Sequence, residues 1–536
     1  MATSKDVRRS RPEDVDCGAR EMGPTVLRRT ERYESRRCAA RRARQWLTGG
    51  SLFVWGIAAH AADASASAPV QDEMLLSDSL GKAAPTPTDQ VPQGLRPSSS
   101  IGLKYQIPNP HKGTTLPPEV QQKVKSAREG VPGFQWFPAA PPQLMPYLFS
   151  NDALGNTAVR HGALVDVAPL EPEVQGVKYW ASSFGLHYDL EQTFTYAGMN
   201  NVVSGDDNLG NYNLDLPLKW AVFDAPAGGT AGWISAQIEY QAAIGNSGPT
   251  QTAQTNLGTL TNPTSFWSKH SGFRMPELAW QQALQSGEIV ALVGVVNQSN
   301  YLDANAYANS GRGQFINSAL GNSMVLPLPA YGYGANLQWQ PRKDWYTMLG
   351  YSVGSSSPAD KPRENFTWTT WSIEWEIGYA PSDFLGMGPG IYRVQPFLAR
   401  VGGPVQGGLA FNGQQQLGPN SPFGWFGRFG FGGAQVSGGA KAQIGTGFDL
   451  QAPLKYVGWV PQLSNDLLGV GFVWSQPSAT TQTVYHENEY VFETFYTLQL
   501  SPLSQVQPDL QLVWNPAFSP DPGPAVVFQF QFILKW

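Results

Sequence analysis

The sequence predicts an all-β protein: a closed antiparallel transmembrane β-barrel of about sixteen strands, carried behind an N-terminal Pro/Ala-rich extension. Three observations predict it. The chain ends on a strictly alternating stretch, in which Val526, Phe528, Phe530, Phe532, Leu534 and Trp536 share one face and Gln529, Gln531 and Lys535 the other. The same alternation recurs from about Lys178 onward, with aromatics dense on the apolar face and stretches long enough to cross an apolar band of ~25 Å. Finally, the N-terminus carries the pattern of an export peptide.

Taken in chain order, arginine crowds residues 28–44 (Arg28, Arg29, Arg32, Arg36, Arg37, Arg41, Arg42, Arg44), an apolar stretch follows from Trp46 to Ala59, and Ala59-His60-Ala61 fits a small-x-small cleavage site. Residues 1–61 therefore read as a cleaved export peptide, with Met22 as an alternative start. A membrane anchor needs about 18 or more clean apolar residues, and this stretch is shorter. Both cysteines, Cys17 and Cys38, fall in the removed part, so the exported chain has no disulfide to form. The same segment holds 13 of the 36 Lys+Arg and 7 of the 41 Asp+Glu, which leaves 23 against 34, a net −11. So acidic a product is not built to bind nucleic acid. Mean hydropathy is −0.27 and no helix-length apolar run follows residue 61. Helical spans are excluded, whereas an alternating barrel averages to such a value.

Residues 62–174 are rich in Pro, Ala, Ser and Gln, as in Ala-Ala-Pro-Thr-Pro-Thr (83–88) and Phe-Pro-Ala-Ala-Pro-Pro (137–142). This composition predicts a partly disordered periplasmic extension, with one short helix at Pro118–Glu129 stopped by Gly130. Whether it plugs the barrel is left open. Residues 175–536 are the barrel. Its strands are expected near 183–196, 213–223, 232–244, 274–284, 288–296, 330–340, 345–354, 367–379, 390–400, 405–412, 422–432, 438–451, 466–475, 488–500, 507–515 and 525–536. In 367–379, for example, Trp371, Ile373, Trp375, Ile377 and Tyr379 oppose Ser372, Glu374 and Glu376. The connections support the same topology. Gln285-Ser286-Gly287 and Pro341-Arg342-Lys343-Asp344 are tight, whereas 197–212, 245–273, 297–329 and 355–366 are long and fall on the other side. The long 452–465 breaks this rule. Eight strands leave an interior filled by side chains, while sixteen to eighteen leave a water channel, so a pore is expected.

Several segments carry a family resemblance: Glu277-Leu278-Ala279-Trp280-Gln281-Gln282-Ala283-Leu284, Gly294, Asn305-Ala306-Tyr307-Ala308-Asn309-Ser310, Gln314-Phe315-Ile316-Asn317-Ser318-Ala319-Leu320, Gly378-Tyr379, Glu489-Tyr490, Glu493, Tyr496, and Gln507-Pro508-Asp509-Leu510-Gln511-Leu512-Val513-Trp514-Asn515-Pro516. Together they resemble the carbohydrate-selective porins of the OprB type over about 350 residues. The resemblance implies passive uptake of saccharides across a bacterial outer membrane. The expected partners are small saccharide solutes, outer-membrane lipid and lipopolysaccharide, and the barrel-assembly machinery acting on the C-terminal strand. Monomer or homo-oligomer is left open.

The pore's chemistry follows from the residues. The longest connection, 297–329, carries only Asp303 and Arg312 as charges, with Asn297, Gln298, Asn300, Asn305, Asn309, Gln314 and Asn317 among its amides. Folded inward, it would narrow the lumen with groups that exchange hydrogen bonds with sugar hydroxyls, while Tyr301, Tyr307 and Phe315 offered apolar faces to a sugar ring. The competing reading is an exposed loop whose amides cap turns. Among lumen charges Arg274, Glu277, Arg312, Glu374, Glu376, Arg393, Arg400 and Arg428 would set a field across the constriction. The candidate site is Arg274, Glu277, Tyr307, Asn309, Arg312, Gln314, Phe315 and Asn317.

A general non-selective porin, a barrel enzyme and an adhesin are the rivals. His111, His161, His187, His270 and His486 are scattered, and none sits in a Gly-x-Ser-x-Gly or His-Glu-x-x-His setting. There is no phosphate loop or cysteine metal cluster, and Ser204-Gly205-Asp206-Asp207-Asn208 lacks EF-hand spacing. No enzyme activity, cofactor or metal is expected.

Overall fold

The computed structural model describes residues 162–536, less scattered positions before Leu186 and segments 224–230, 246–251, 265–271, 285–288, 329–331, 354–368, 419–420, 433–438 and 479–482, together with 343, 402, 462 and 522. The expected export peptide, nearly all of the expected extension and its expected helix lie outside these residues.

Sixteen strands form one closed ring. They are β1 (Leu186–Tyr188 and Glu191–Met199), β2 (Asn208–Phe223), β3 (Ala231–Ile244), β4 (Gly272–Leu284), β5 (Ile289–Val296), β6 (Gly332–Arg342), β7 (Trp345–Val353), β8 (Thr370–Tyr379), β9 (Gly390–Val401), β10 (Gln406–Gln416), β11 (Phe423–Gly432), β12 (Ala440–Gln451), β13 (Leu467–Pro477), β14 (Glu489–Ser501), β15 (Ser504–Trp514) and β16 (Ala525–Lys535). Each pairs antiparallel with the next, and β16 pairs with β1. Both pieces of β1 lie on β2, and they part opposite Pro217, which has no N–H to give to the ladder. The expected closure is present: Trp536 N–H donates to the Leu190 carbonyl at 2.8 Å. Among the described residues every strand of the ring has a partner on both sides, which is the condition for strands to cross hydrocarbon.

Facing follows the alternation. On β16, Phe528 and Phe530 are 49% and 41% exposed on the outer wall, whereas Gln529 and Gln531 are fully buried inside. Aromatic pairs run across the outer face, as at Phe194–Tyr212 (4.9 Å) and stacked Phe411–Phe429 (4.8 Å). One expected inward charge is misplaced. Arg400 has the outer parity of β9, is exposed, and donates from Nε to the Gly403 carbonyl at 3.0 Å, because Arg393, Gln395, Phe397 and Ala399 take the inner positions. On β4 Arg274 and Glu277 both point inward despite their odd spacing, since the β3–β4 register shifts between them at Pro276.

The connections at the end bearing Trp536 include the tight Ser501–Ser504 turn, and also the longer 452–466 with helix α3 (Pro453–Tyr456). At the opposite end the long connections lie after β3 and β5. The described part of 245–271 contains α1 (Ala253–Leu257), N-capped by Thr252; that of 297–331 contains a 3₁₀ turn (Gln298–Asn300) and α2 (Ser318–Gly321). Both segments turn inward, and Leu257, Phe315, Leu320, Phe426 and Phe495 meet in one apolar cluster inside the barrel.

Candidate functional site

The 297–331 connection is fastened to most of the inner wall, and its anchors can be followed in order. Asn300 Nδ2 donates to Gln237 Oε1 (3.1 Å) and Glu277 Oε2 (3.3 Å), and Tyr301 Oη donates to Glu277 Oε1 at 2.6 Å. Burial and the Glu277 carboxylate push the Tyr301 hydroxyl's pKa up, so it remains the donor.

Asp303 is the central knot. It sits in the left-handed region (φ 61°), which Asp tolerates better than most residues. Its N–H donates to Glu376 Oε2 (3.0 Å), and Arg428 Nε approaches both its carboxylate oxygens at 3.2 Å. Asn412 Nδ2 (2.6 Å) and the Ser323 N–H (2.6 Å) donate to the same carboxylate. Beyond it, Asn305 Nδ2 reaches Asn412 Oδ1 (2.7 Å) and the Ala306 N–H reaches Gln414 Oε1 (3.0 Å).

Residues 305–314 double back on themselves. Gln314 Oε1 accepts from the N–H groups of Asn309 (3.0 Å) and Ser310 (3.1 Å), while its Nε2 donates to the Ala306 carbonyl at 2.8 Å. This brings the tip to the far wall, where Arg312 Nη1 lies 3.0 Å from both Glu191 Oε1 and Asp215 Oδ2. The returning arm is pinned by the Gly313 N–H to Gln507 Oε1 (2.7 Å), by Thr497 Oγ1 to the Gly313 carbonyl (3.1 Å), and by the Ile316 and Asn317 N–H groups to Glu493. Asn317 caps α2 and donates to Gln511 Oε1 at 3.0 Å, and Arg428 Nη1 donates to the Leu320 carbonyl at 2.6 Å.

The expected site residues thus take unequal places. Glu277, Arg312 and Asn317 tie the segment to the wall, and Arg274 stands opposite Glu239 in the β3–β4 register. Gln314 and Asn309 stabilise the segment's own fold. The three rings expected to face a sugar are instead turned into the packing. Phe315 is fully buried between Phe426 (5.2 Å) and Phe495 (4.8 Å), Tyr307 lies over Gly424, where a Cβ would come within 2.3 Å of its ring, and Tyr301 packs with Leu292 and Val296. The reason is apolar burial: facing strands carry glycines and aromatics that receive these rings.

Sequence reasoning missed Glu191 and Asp215 as partners of Arg312, and Gln507 as an anchor. It also missed the second inward segment, where Glu489 accepts the Leu260 (2.6 Å) and Thr261 (2.9 Å) N–H groups and Gln529 Nε2 reaches the Pro263 carbonyl at 2.6 Å. The available signal was the set of carboxylates at inner-face parity on β14, with no basic residue on the same strand to balance them.

Comparison with known proteins agrees with this architecture. The model of the carbohydrate-selective porin, OprB family, matches residues 221–400 and 404–533. The chain belongs to that family. Among curated relatives, Porin AaxA of Chlamydia abortus is 24% identical over 339 residues, covering 62% of this chain and 71% of the relative. Porin AaxA of Chlamydia felis is 23% identical over 323 residues, covering 58% and 68%. Among solved structures, the high-pH form of Pseudomonas putida OprB superposes with a TM-score of 0.54 at 12% identity, covering 68% of this chain and 97% of that one, a likeness of fold. As a member of a family of channels, the protein is an outer-membrane porin for sugars.

Proposed function

We propose that this OprB-family porin admits saccharides and other small polar solutes to the periplasm by passive diffusion through a lumen whose narrowest point is set by 297–331, with Arg312 at its tip. The observation that carries this reading is the reach of that segment. It starts between β5 and β6, and its bonds run to β3, β4, β8, β10, β11, β14 and β15, while Arg312 meets β1 and β2. A solute crossing the barrel must pass beside it.

Selection at such a point is steric and polar. The inner wall presents amides, hydroxyls and paired charges, and sugar hydroxyls can exchange bonds with these groups one at a time. Binding of this kind is weak enough to release the solute, as throughput requires. The transverse field is shorter-ranged than the sequence suggests, because Arg312, Arg393 and Arg428 each face a carboxylate at 3.0–3.5 Å. On this reading the protein does no chemistry on its solute. Its outer aromatic wall contacts lipid, with lipopolysaccharide in the outer leaflet, and its C-terminal strand ending at Trp536 is what the barrel-assembly machinery engages.

Single-channel recording in planar bilayers tests the reading. Current that glucose or maltotriose blocks saturably supports it. Conductance without any sugar block would make the protein a general diffusion pore, and absence of conductance would overturn the channel reading.

A further inference from the structure

The inner wall is not uniform. On β10, β11, β12, β14 and β15 the inward amides and charges hold backbone of the two inward segments: Gln414 takes the Ala306 N–H, Arg428 the Leu320 carbonyl, Gln443 the Ala319 carbonyl, Glu493 the Asn317 N–H and Gln511 the Pro263 carbonyl. On β1–β3 Gln237 takes Asn300 and Glu191 and Asp215 take Arg312, but a further group of inward polar side chains holds neither segment. Thr193, Thr195, Asn211, Asn213 and Gln241 are each more than nine-tenths buried and have inner-face parity. The oxygens Thr193 Oγ1, Thr195 Oγ1, Asn211 Oδ1, Asn213 Oδ1 and Gln241 Oε1 have no hydrogen-bond partner among the described residues, and neither does Gln529 Oε1 on β16.

These groups are neighbours. Thr193 is registered against Asn213 and Thr195 against Asn211 across β1–β2, and Asn213 against Gln241 across β2–β3. With strands ~4.8 Å apart, the surface from β16 to β3 is roughly 14 Å wide. Native folds leave few buried polar atoms unpaired, so a contiguous set calls for an occupant that pairs them. The set is also chemically biased. On β1–β3 it contains no charge; there the charges begin one row nearer Trp536, where Glu191, Asp215 and Glu239 are registered side by side and Arg312 bridges the first two, while Asp509 of β15 borders the face opposite Gln529. Amide oxygens accept only, and threonine hydroxyls both accept and donate. The matching ligand is an uncharged molecule rich in hydroxyl donors. An anion offers no donors to the amide oxygens.

The constriction tip lies at the edge of this surface. Gln531, registered against Thr195, donates from Nε2 to the Gly311 carbonyl at 2.9 Å, next to Arg312. We propose that the amide and hydroxyl face of β1–β3, extended by Gln529 of β16, is the wall along which a neutral polyhydroxylated solute binds as it passes the tip. This rests on the channel reading above and names the residues that give it selectivity.

The test uses the full-length protein in planar bilayers, with glucose and maltotriose as probes and the half-blocking concentration as readout. Thr195→Val, Asn211→Leu and Asn213→Leu combined keep volume and remove hydrogen bonding. The expected result is a half-blocking concentration raised about tenfold or more, from three lost bonds, with salt conductance and ion selectivity unchanged because no charge is touched. Thr193→Val alone, a change of one hydroxyl for a methyl, should raise it about two- to fivefold and guards against a misassembled triple variant. Ser352→Ala, on β7, should leave it unchanged. Wild-type block retained in full by the triple variant and by Thr193→Val would overturn this proposal alone. A wild type that conducts without sugar block would overturn the saccharide-channel reading and this proposal together.

Discussion

Asp303→Ala would strip Arg428 of its carboxylate while leaving the guanidinium 99% buried inside the barrel. In the wild type that carboxylate accepts from Arg428 Nε at 3.2 Å, from Asn412 Nδ2 at 2.6 Å and from the Ser323 N–H at 2.6 Å. Removing one partner of a buried ion pair costs about 3–5 kcal/mol, because the other charge stays desolvated. Arg428 would keep its bonds to the Leu320 (2.6 Å) and Asp303 (3.0 Å) carbonyls, which favours the lower end of that range. A loss of about 3 kcal/mol weakens the attachment of 297–331 to β10–β11 roughly 150-fold. The barrel itself, held by its backbone ladders, should still assemble. Single-channel recording should therefore show higher mean conductance, added current noise and weaker sugar block. Arg428→Met in the same chain removes the orphaned charge and should recover part of the lost stability, giving a coupling energy in a double-mutant cycle. Asp303→Ala channels with wild-type conductance, noise and block would refute the claim that this knot holds the segment.

Three further outcomes are expected. Phe530→Arg should impair assembly by about 2–4 kcal/mol if it lies near the bilayer midplane, whereas Gln529→Arg, on the lumen side, should assemble and alter conductance and sugar block; equal heat-modifiable band shifts on gels would show the facing to be wrong. Arg312→Ala leaves Glu191 and Asp215 without the guanidinium 3.0 Å away, so the reversal potential in a salt gradient should move toward cation selectivity, and an unmoved potential would place Arg312 off the ion path. Phe315→Ala empties the space between Phe426 and Phe495 and should cost about 3–5 kcal/mol of local stability, read as faster hydrogen exchange in 313–321; unchanged exchange would contradict its anchoring role.

The barrel was legible because alternation with aromatics outward is a local pattern. All sixteen expected strands are present, and β16, β14 and β8 lie within three residues of their expected ends. The misses fall where outward positions lack large side chains. β10 runs on to Gln416 because outward Gly413 is covered by the rings of Phe411 and Trp425, and β2 begins at Asn208 through the small and polar Asn-Leu-Gly-Asn. The inward turn of 297–331 was one of two readings that its length and its amides left open, the other being an exposed loop whose amides cap turns. The anchors of the segment were not legible, since they join residues far apart in sequence: Gly313 to Gln507, Arg312 to Glu191, Asn317 to Glu493. Nothing local distinguishes an aromatic that will face a solute from one that will be buried by a glycine on a distant strand, and Tyr307 over Gly424 is the clearest case.

The central claim is that 297–331 sets the narrowest point of a saccharide channel. The most direct measurement is the sugar-dependent block of single-channel current in the wild type and in a variant lacking residues 303–316, which removes the Asp303 knot, the Arg312 tip and Phe315 together. Loss of a steric and polar barrier should raise ion conductance and abolish saturable block by glucose and maltotriose. A deletion variant that inserts into the bilayer with unchanged conductance and unchanged block would contradict the account.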